Sequence, residues 1–92
     1  MSSIEEQEKH FAARLREERK RANISQLDLA YKAKVSQNLV NFIETGKRIP
    51  TLHTILKICD ALQINPAVLF REPDGDREEA RKAMTELINR YF

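Results

Sequence analysis

The chain is poor in the residues that break or staple a fold. Of its 92 residues two are glycine and three are proline, while 33% are charged. So few turn-formers and so many charges suit a helical protein. No stretch alternates apolar and polar residues long enough to specify a strand. No apolar run approaches the ~20 residues needed to span a bilayer, and the N-terminus has no apolar signal segment. The one cysteine, Cys59, can make no internal disulfide, so a reducing cytoplasm is the expected compartment. Cys59 falls on the apolar side of its predicted helix and reads as a small core residue. The two histidines, His10 and His53, lie far apart without a cysteine or carboxylate pattern that would suggest zinc. There is no phosphate-cradling glycine loop, and the carboxylates read as solvated helix faces. The expectation is therefore no enzyme, no metal and no cofactor, with no membrane partner.

What is present is charge, unevenly placed. The net charge is only +2, yet residues 9–48 hold ten Lys/Arg against four Asp/Glu. The acidic surplus sits at the two ends of the chain. A length of 92 residues allows one modest core.

Met1 to Ser3 is expected to be disordered. A long first helix then runs from about Ile4 or Glu5 to Ala22, with Phe11, Leu15 and Ala22 on its inner face and Ala12 beside them. Arg14, Arg16, Lys20 and Arg21 crowd its C-terminal half, where the helix dipole favours cations. Asn23 is a candidate C-cap and Ile24 a buried link. The stretch from Ser25 to Gly46 reads as two short helices joined by a tight turn. Ser25 caps the first, with Asp28 in its first turn and Leu29, Ala30 and Ala33 on one face. Ser36 caps the second. Val40 and Ile43 point inward; Gln37, Asn38, Asn41 and Phe42 fall on the opposite side. Gly46 suits a left-handed cap. Neither helix is long enough to be stable alone.

After Gly46 the chain extends to Pro50. Thr51 caps a fourth helix reaching Leu62, with an inner stripe of Leu52, Ile55, Leu56, Cys59 and Leu62, and His53 outside it. Asn65 caps and Pro66 opens a short fifth helix to Phe70. Arg71 to Gly75 is a turn or linker. Asp76 caps a last helix, about Arg77 to Arg90, whose apolar positions are Ala80, Ala83, Met84, Leu87, Ile88 and Tyr91. That stripe must be buried, either on the same subunit or against its copy in a homodimer. The whole is an all-α protein: five helices over residues 1–71, then one C-terminal amphipathic helix over residues 72–92.

From about Phe11 to Phe70 the chain resembles the helix-turn-helix domain of the phage repressor and Cro family, the XRE-type regulators. The matching residues are Gln26, Leu29-Ala30, Val35-Ser36-Gln37, Val40, Ile43-Glu44 and Gly46-Lys47. Pro50-Thr51-Leu52, Leu56, Ala61-Leu62, Asn65-Pro66 and Leu69-Phe70 follow in order. Two positions depart from the family. Lys34 stands where the turn is usually glycine, and Gln63 where a glycine often closes the fourth helix. Lys34 must then accept a left-handed conformation at a cost of about 1 kcal/mol.

The resemblance implies a DNA-binding regulator whose second motif helix enters the major groove, N-terminal end first. Gln37 and Asn38 sit at that end, where their amides can meet adenine N6 and N7 together. Asn41, one turn on, can reach a base or a phosphate. Phe42 either packs on a thymine methyl or turns into the core or a dimer contact. By the same resemblance Gln26 and Ser36, at helix N-termini, bind phosphate. Thr45, Lys47 and Arg48 clamp the backbone beyond the recognition helix, and Arg21 adds a contact from the first helix. Arg19 pairs with Glu44 in a partly buried ion pair. Selective binding by so small a domain calls for a twofold dimer on a palindromic operator, with Met84, Leu87, Ile88 and Tyr91 as the dimer contact. The expected partners are double-stranded DNA and a second copy, with no small-molecule ligand. The competing class is a protein-interaction module, such as an antitoxin whose final helix grips a partner protein.

Overall fold

The computed structural model describes residues 3–71. They form four α-helices, α1 (Ile4–Arg21), α2 (Gln26–Ala33), α3 (Gln37–Glu44) and α4 (Leu52–Leu62), and a closing 3-10 turn, Pro66–Phe70. No helix among the described residues is long and apolar enough to cross a membrane.

Every α-helix starts on a hydroxyl. Ser3, Ser25, Ser36 and Thr51 accept the backbone N–H of Glu6, Asp28, Leu39 and Thr54 at 3.0–3.2 Å. Each cap satisfies one donor that the helix itself leaves unpaired. Ser3 is thus ordered at the head of α1. Asn65 caps the last element through Ala67 N–H, 2.9 Å away, and Pro66 takes its first position. That element is a 3-10 turn rather than a fifth α-helix.

The helix ends need a left-handed residue, and three of them use a side chain that pays a steric cost. Asn23, Lys34 and Gln63 have φ of 59°, 59° and 54°, while Gly46 has 75°. Ala22 is the C-cap of α1, so Asn23 lies one position beyond it. At the end of α2, Lys34 N–H returns to Tyr31 O and Val35 N–H to Ala30 O. The Lys57 ammonium of α4 donates to Lys34 O at 3.2 Å, tying this turn to the next layer.

The core is one cluster. Leu15 of α1, Leu29, Ala30 and Ala33 of α2, Val40 and Ile43 of α3, and Ile58, Cys59 and Leu62 of α4 meet Leu69 of the 3-10 turn. Helix α2 packs on both α3 and α4, while α1 crosses α3 and the closing turn. Phe11 and Phe70 stack tilted at 5.3 Å between ring centres. Burial pushes the Cys59 thiol up from its ordinary range.

Several expected inner positions lie outside. Ala22 is exposed beyond the end of α1. Leu52 and Leu56 are 70% and 47% exposed. The apolar arc of α4 is wider than the core can cover, and Ile58 takes the buried place on its far side. Arg14 points inward, 5% exposed, against Glu17 and Glu18 at 3.5 and 3.6 Å. The expected last helix, with Met84, Leu87, Ile88 and Tyr91, lies outside the described residues.

Candidate nucleic-acid interface

Helix α3 is anchored by its back and offered by its front. Val40, Ile43 and Glu44 are buried, Leu39 and Val35 are half-buried, and Ser36, Gln37 and Asn38 are exposed. The N-terminal end of the helix therefore stands clear with its amides. Asn41 and Phe42 are half-buried, one turn further on. Phe42 is not the fully exposed ring that its position suggested. Its face is partly covered, and Lys47 Nζ lies 6.0 Å from its centre, within cation–π range.

Beyond α3 the chain folds back on its own last turn. The N–H groups of Lys47 and Arg48 both donate to Phe42 O, at 2.8 and 3.1 Å. This holds two exposed cations beside α3. Thr45 is oriented differently from a phosphate donor: its hydroxyl donates to Asn41 O at 2.8 Å. On α1, Arg16 and Lys20 are exposed. With Lys9 they line a shallow groove that ends at Thr45 and Gly46. Lys9 had no signal in the sequence, because only the crossing of α1 over α3 brings it there. Arg21 is also exposed, with its guanidinium donating to Glu18 Oε1 at 3.0 Å.

The polar interior gathers on Glu44. Arg19 Nε and Nη2 donate to its two oxygens at 2.7 and 3.1 Å, a forked pair, while Arg19 Nη1 donates to Ile24 O at 2.9 Å. The two side chains are 11% and 2% exposed. One guanidinium thereby ties α1, the α1–α2 link and the end of α3 together. Gln26 joins the same group. Its Nε2 lies 3.2 Å from Glu44 Oε1 and 3.3 Å from Asn41 Oδ1. Sequence reasoning placed Gln26 at a helix start and Asn41 on an outer face, without the bond between them. Among the described residues no cluster of histidine, cysteine and carboxylates could hold a metal ion.

A buried-backed short helix, capped by Ser36 and set at the turn from α2, is what the helix-turn-helix family presents, and the family's sequence pattern matches residues 15–69. The chain belongs to the XRE-type helix-turn-helix family. It is a DNA-binding regulator of transcription. Among solved structures it is similar to the crystal structure of the restriction-modification controller protein C.AhdI from Aeromonas hydrophila. The two are 39% identical with a TM-score of 0.65, over 66% of this chain and 92% of that one. Among curated proteins nothing matches. Helix-turn-helix membership accounts for the division of α3 into a face that belongs to the core and an N-terminal end that stands exposed.

Proposed function

We propose that this regulator binds its operator as a homodimer in the cytoplasm, with α3 of each protomer in successive major grooves. The observation that carries the reading is the exposure of Gln37 and Asn38 at the start of a helix that buries Val40, Ile43 and Glu44 on its opposite face. Amide side chains there can make paired contacts to adenine, while Asn41 and Phe42 read the next bases. Ser36, Lys47, Arg48 and Arg21 hold phosphates around that helix. Two such domains, one helical turn apart on a near-palindromic site, supply the selectivity that one lacks. The C-terminal segment, with Met84, Leu87, Ile88 and Tyr91 at helical spacing, is the dimer contact. C.AhdI is a restriction-modification controller, and its similarity favours a controller role here over the antitoxin role.

Selection of duplexes from a random pool tests this. A near-palindromic consensus is the expected product. The pair Gln37→Ala and Asn38→Ala should lower preference for that consensus at least about tenfold while leaving binding to random duplex intact. Undiminished preference in this variant would overturn the base-reading assignment. Selection that yields no consensus would favour the protein-interaction class.

A further inference from the structure

Beside the closing turn the domain carries an open apolar groove of about 220 Å³, with Ile4, Phe11, Ile49 and Phe70 in its walls. Three of these side chains, Ile4, Ile49 and Phe70, are 76%, 73% and 67% exposed. Single exposed apolar residues are ordinary, but three gathered in one concave surface mark a place where something docks. The sequence supplies a second apolar surface, the stripe of Ala80, Ala83, Met84, Leu87, Ile88 and Tyr91 at helical spacing. The two are close along the chain. Phe70 both ends the 3-10 turn and lines the groove, and Arg71 follows with extended backbone, φ −72° and ψ 153°. Residues 72–92, which include the stripe, come next.

We propose that two copies exchange these segments, the stripe of each protomer docking in the Ile4–Phe11–Ile49–Phe70 groove of the other. The proposal rests on the homodimer reading and names the surface that the C-terminal segment grips. Three pairings are open to the stripe. Stripe against stripe joins two copies but leaves the groove open to water. A stripe in its own groove covers both surfaces but leaves nothing to join the copies. A stripe in the partner's groove covers both surfaces and joins the copies at once. An amphipathic helix laid in an apolar groove is a recurrent mode of recognition. Exchange of one identical element forms the same junction twice by symmetry, at low cost because the contacts are those that one chain already carries.

The test uses full-length variants of two kinds and reads assembly by light scattering. A groove variant carries Ile4→Glu with Ile49→Gln. Both side chains are exposed, and an acid suits the first turn of α1. A stripe variant carries Leu87→Gln with Ile88→Gln. Each alone should dimerise at least about tenfold more weakly than the unaltered chain, because both junctions then set polar groups against an apolar surface. Mixed in equal amounts, the two variants should form a 1:1 heterodimer in native mass spectrometry. There the intact segment of one meets the intact groove of the other. Leu52→Gln with Leu56→Gln changes exposed apolar positions that do not line the groove, and should leave assembly unchanged. A groove variant that dimerises as well as the unaltered chain would mean stripe on stripe and would overturn the proposal. A mixture without heterodimer, or loss of the dimer in the Leu52 and Leu56 variant, would overturn it too. Circular dichroism separates lost docking from lost folding, and Ile49→Gln alone replaces the groove variant if the pair unfolds. An unaltered chain that is a monomer would remove the homodimer reading itself, and a lower unfolding midpoint in both variants would then put the segment in its own groove. A dimer that ignores the groove removes only the present proposal.

Discussion

Glu44 is the residue on which the polar interior depends. Its side chain is 2% exposed, and its two oxygens take up Arg19 and Gln26. Taking one partner away leaves the other charge buried and uncompensated, which costs more than the pair itself is worth. Glu44→Gln should therefore lose about 3–5 kcal/mol in urea unfolding, a large share of the 5–15 kcal/mol typical of a domain. Replacing both members, Arg19→Met with Glu44→Leu, should lose less than Glu44→Gln alone. The Arg19–Glu44 pairing was legible by resemblance, because each residue occupies a matched position. The inward turn of Arg14 was not. Its composition is that of its neighbours Arg16 and Lys20, and only the phase of α1 against the closing turn distinguishes it. Cys59 adds a second residue-scale expectation. Its thiol is raised by burial, so the folded protein keeps that proton to higher pH than the unfolded chain does. Stability from this group should be intact below the ordinary thiol range and decline as pH rises through it. Cys59→Ser should lose that alkaline decline, as read in unfolding midpoints between neutral and alkaline pH.

At the scale of elements, the starts of the helices were readable and some of the faces were not. Ser25, Ser36, Thr51 and Asn65 announce themselves because capping involves only the next two or three residues. The inner face of α4 depends on partners far away in sequence. Its apolar arc includes Leu52, Ile55, Leu56, Ile58, Cys59 and Leu62, and nothing local says which part meets α2. Ile58 is 1% exposed while Leu52 is 70% exposed, so the core takes one side of a stripe that reads as continuous. The α2–α3 turn carries a testable local strain. Lys34 adopts φ 59°, and its carbonyl contact to Lys57 would survive a change of side chain. Lys34→Gly relieves a left-handed penalty of about 1–2 kcal/mol. Part of that gain is lost to the greater freedom of glycine in the unfolded chain. A net stabilisation of about 0.5–1 kcal/mol is expected, measured by thermal or urea unfolding. Gly46 is the converse case. Nothing lies within 4 Å of a Cβ placed there, so Gly46→Ala should lose only the conformational cost of φ 75°, about 1 kcal/mol.

For the whole molecule the question is how a chain with a net charge of only +2 holds DNA, and the proposed cation contacts make the answer measurable. The core of residues 3–71 closes on itself through Leu15, Leu29, Ile43, Ile58 and Leu69. A chain ending after Arg71 should therefore still fold, with helix content scaled to its length. If the C-terminal segment joins two copies, that truncated form should be a monomer by light scattering and should bind the operator far more weakly. Salt dependence then distinguishes loss of a partner from loss of contacts. Each neutralised phosphate contributes about −0.9 to the slope of log affinity against log salt. Arg21, Lys47 and Arg48 in one protomer predict a slope near −2.7, and two protomers one near −5.4. The full chain should show the steeper value and the truncated chain half of it. Lys47→Ala in the full chain removes one cation from each half-site and should flatten the slope by about 1.8, with little change in which sequence is preferred. A truncated chain that stays dimeric with the steep slope would move the dimer contact off the last segment. The apolar groove between Ile4, Phe11, Ile49 and Phe70, beside the end of the closing turn, would then be the surface to mutate next.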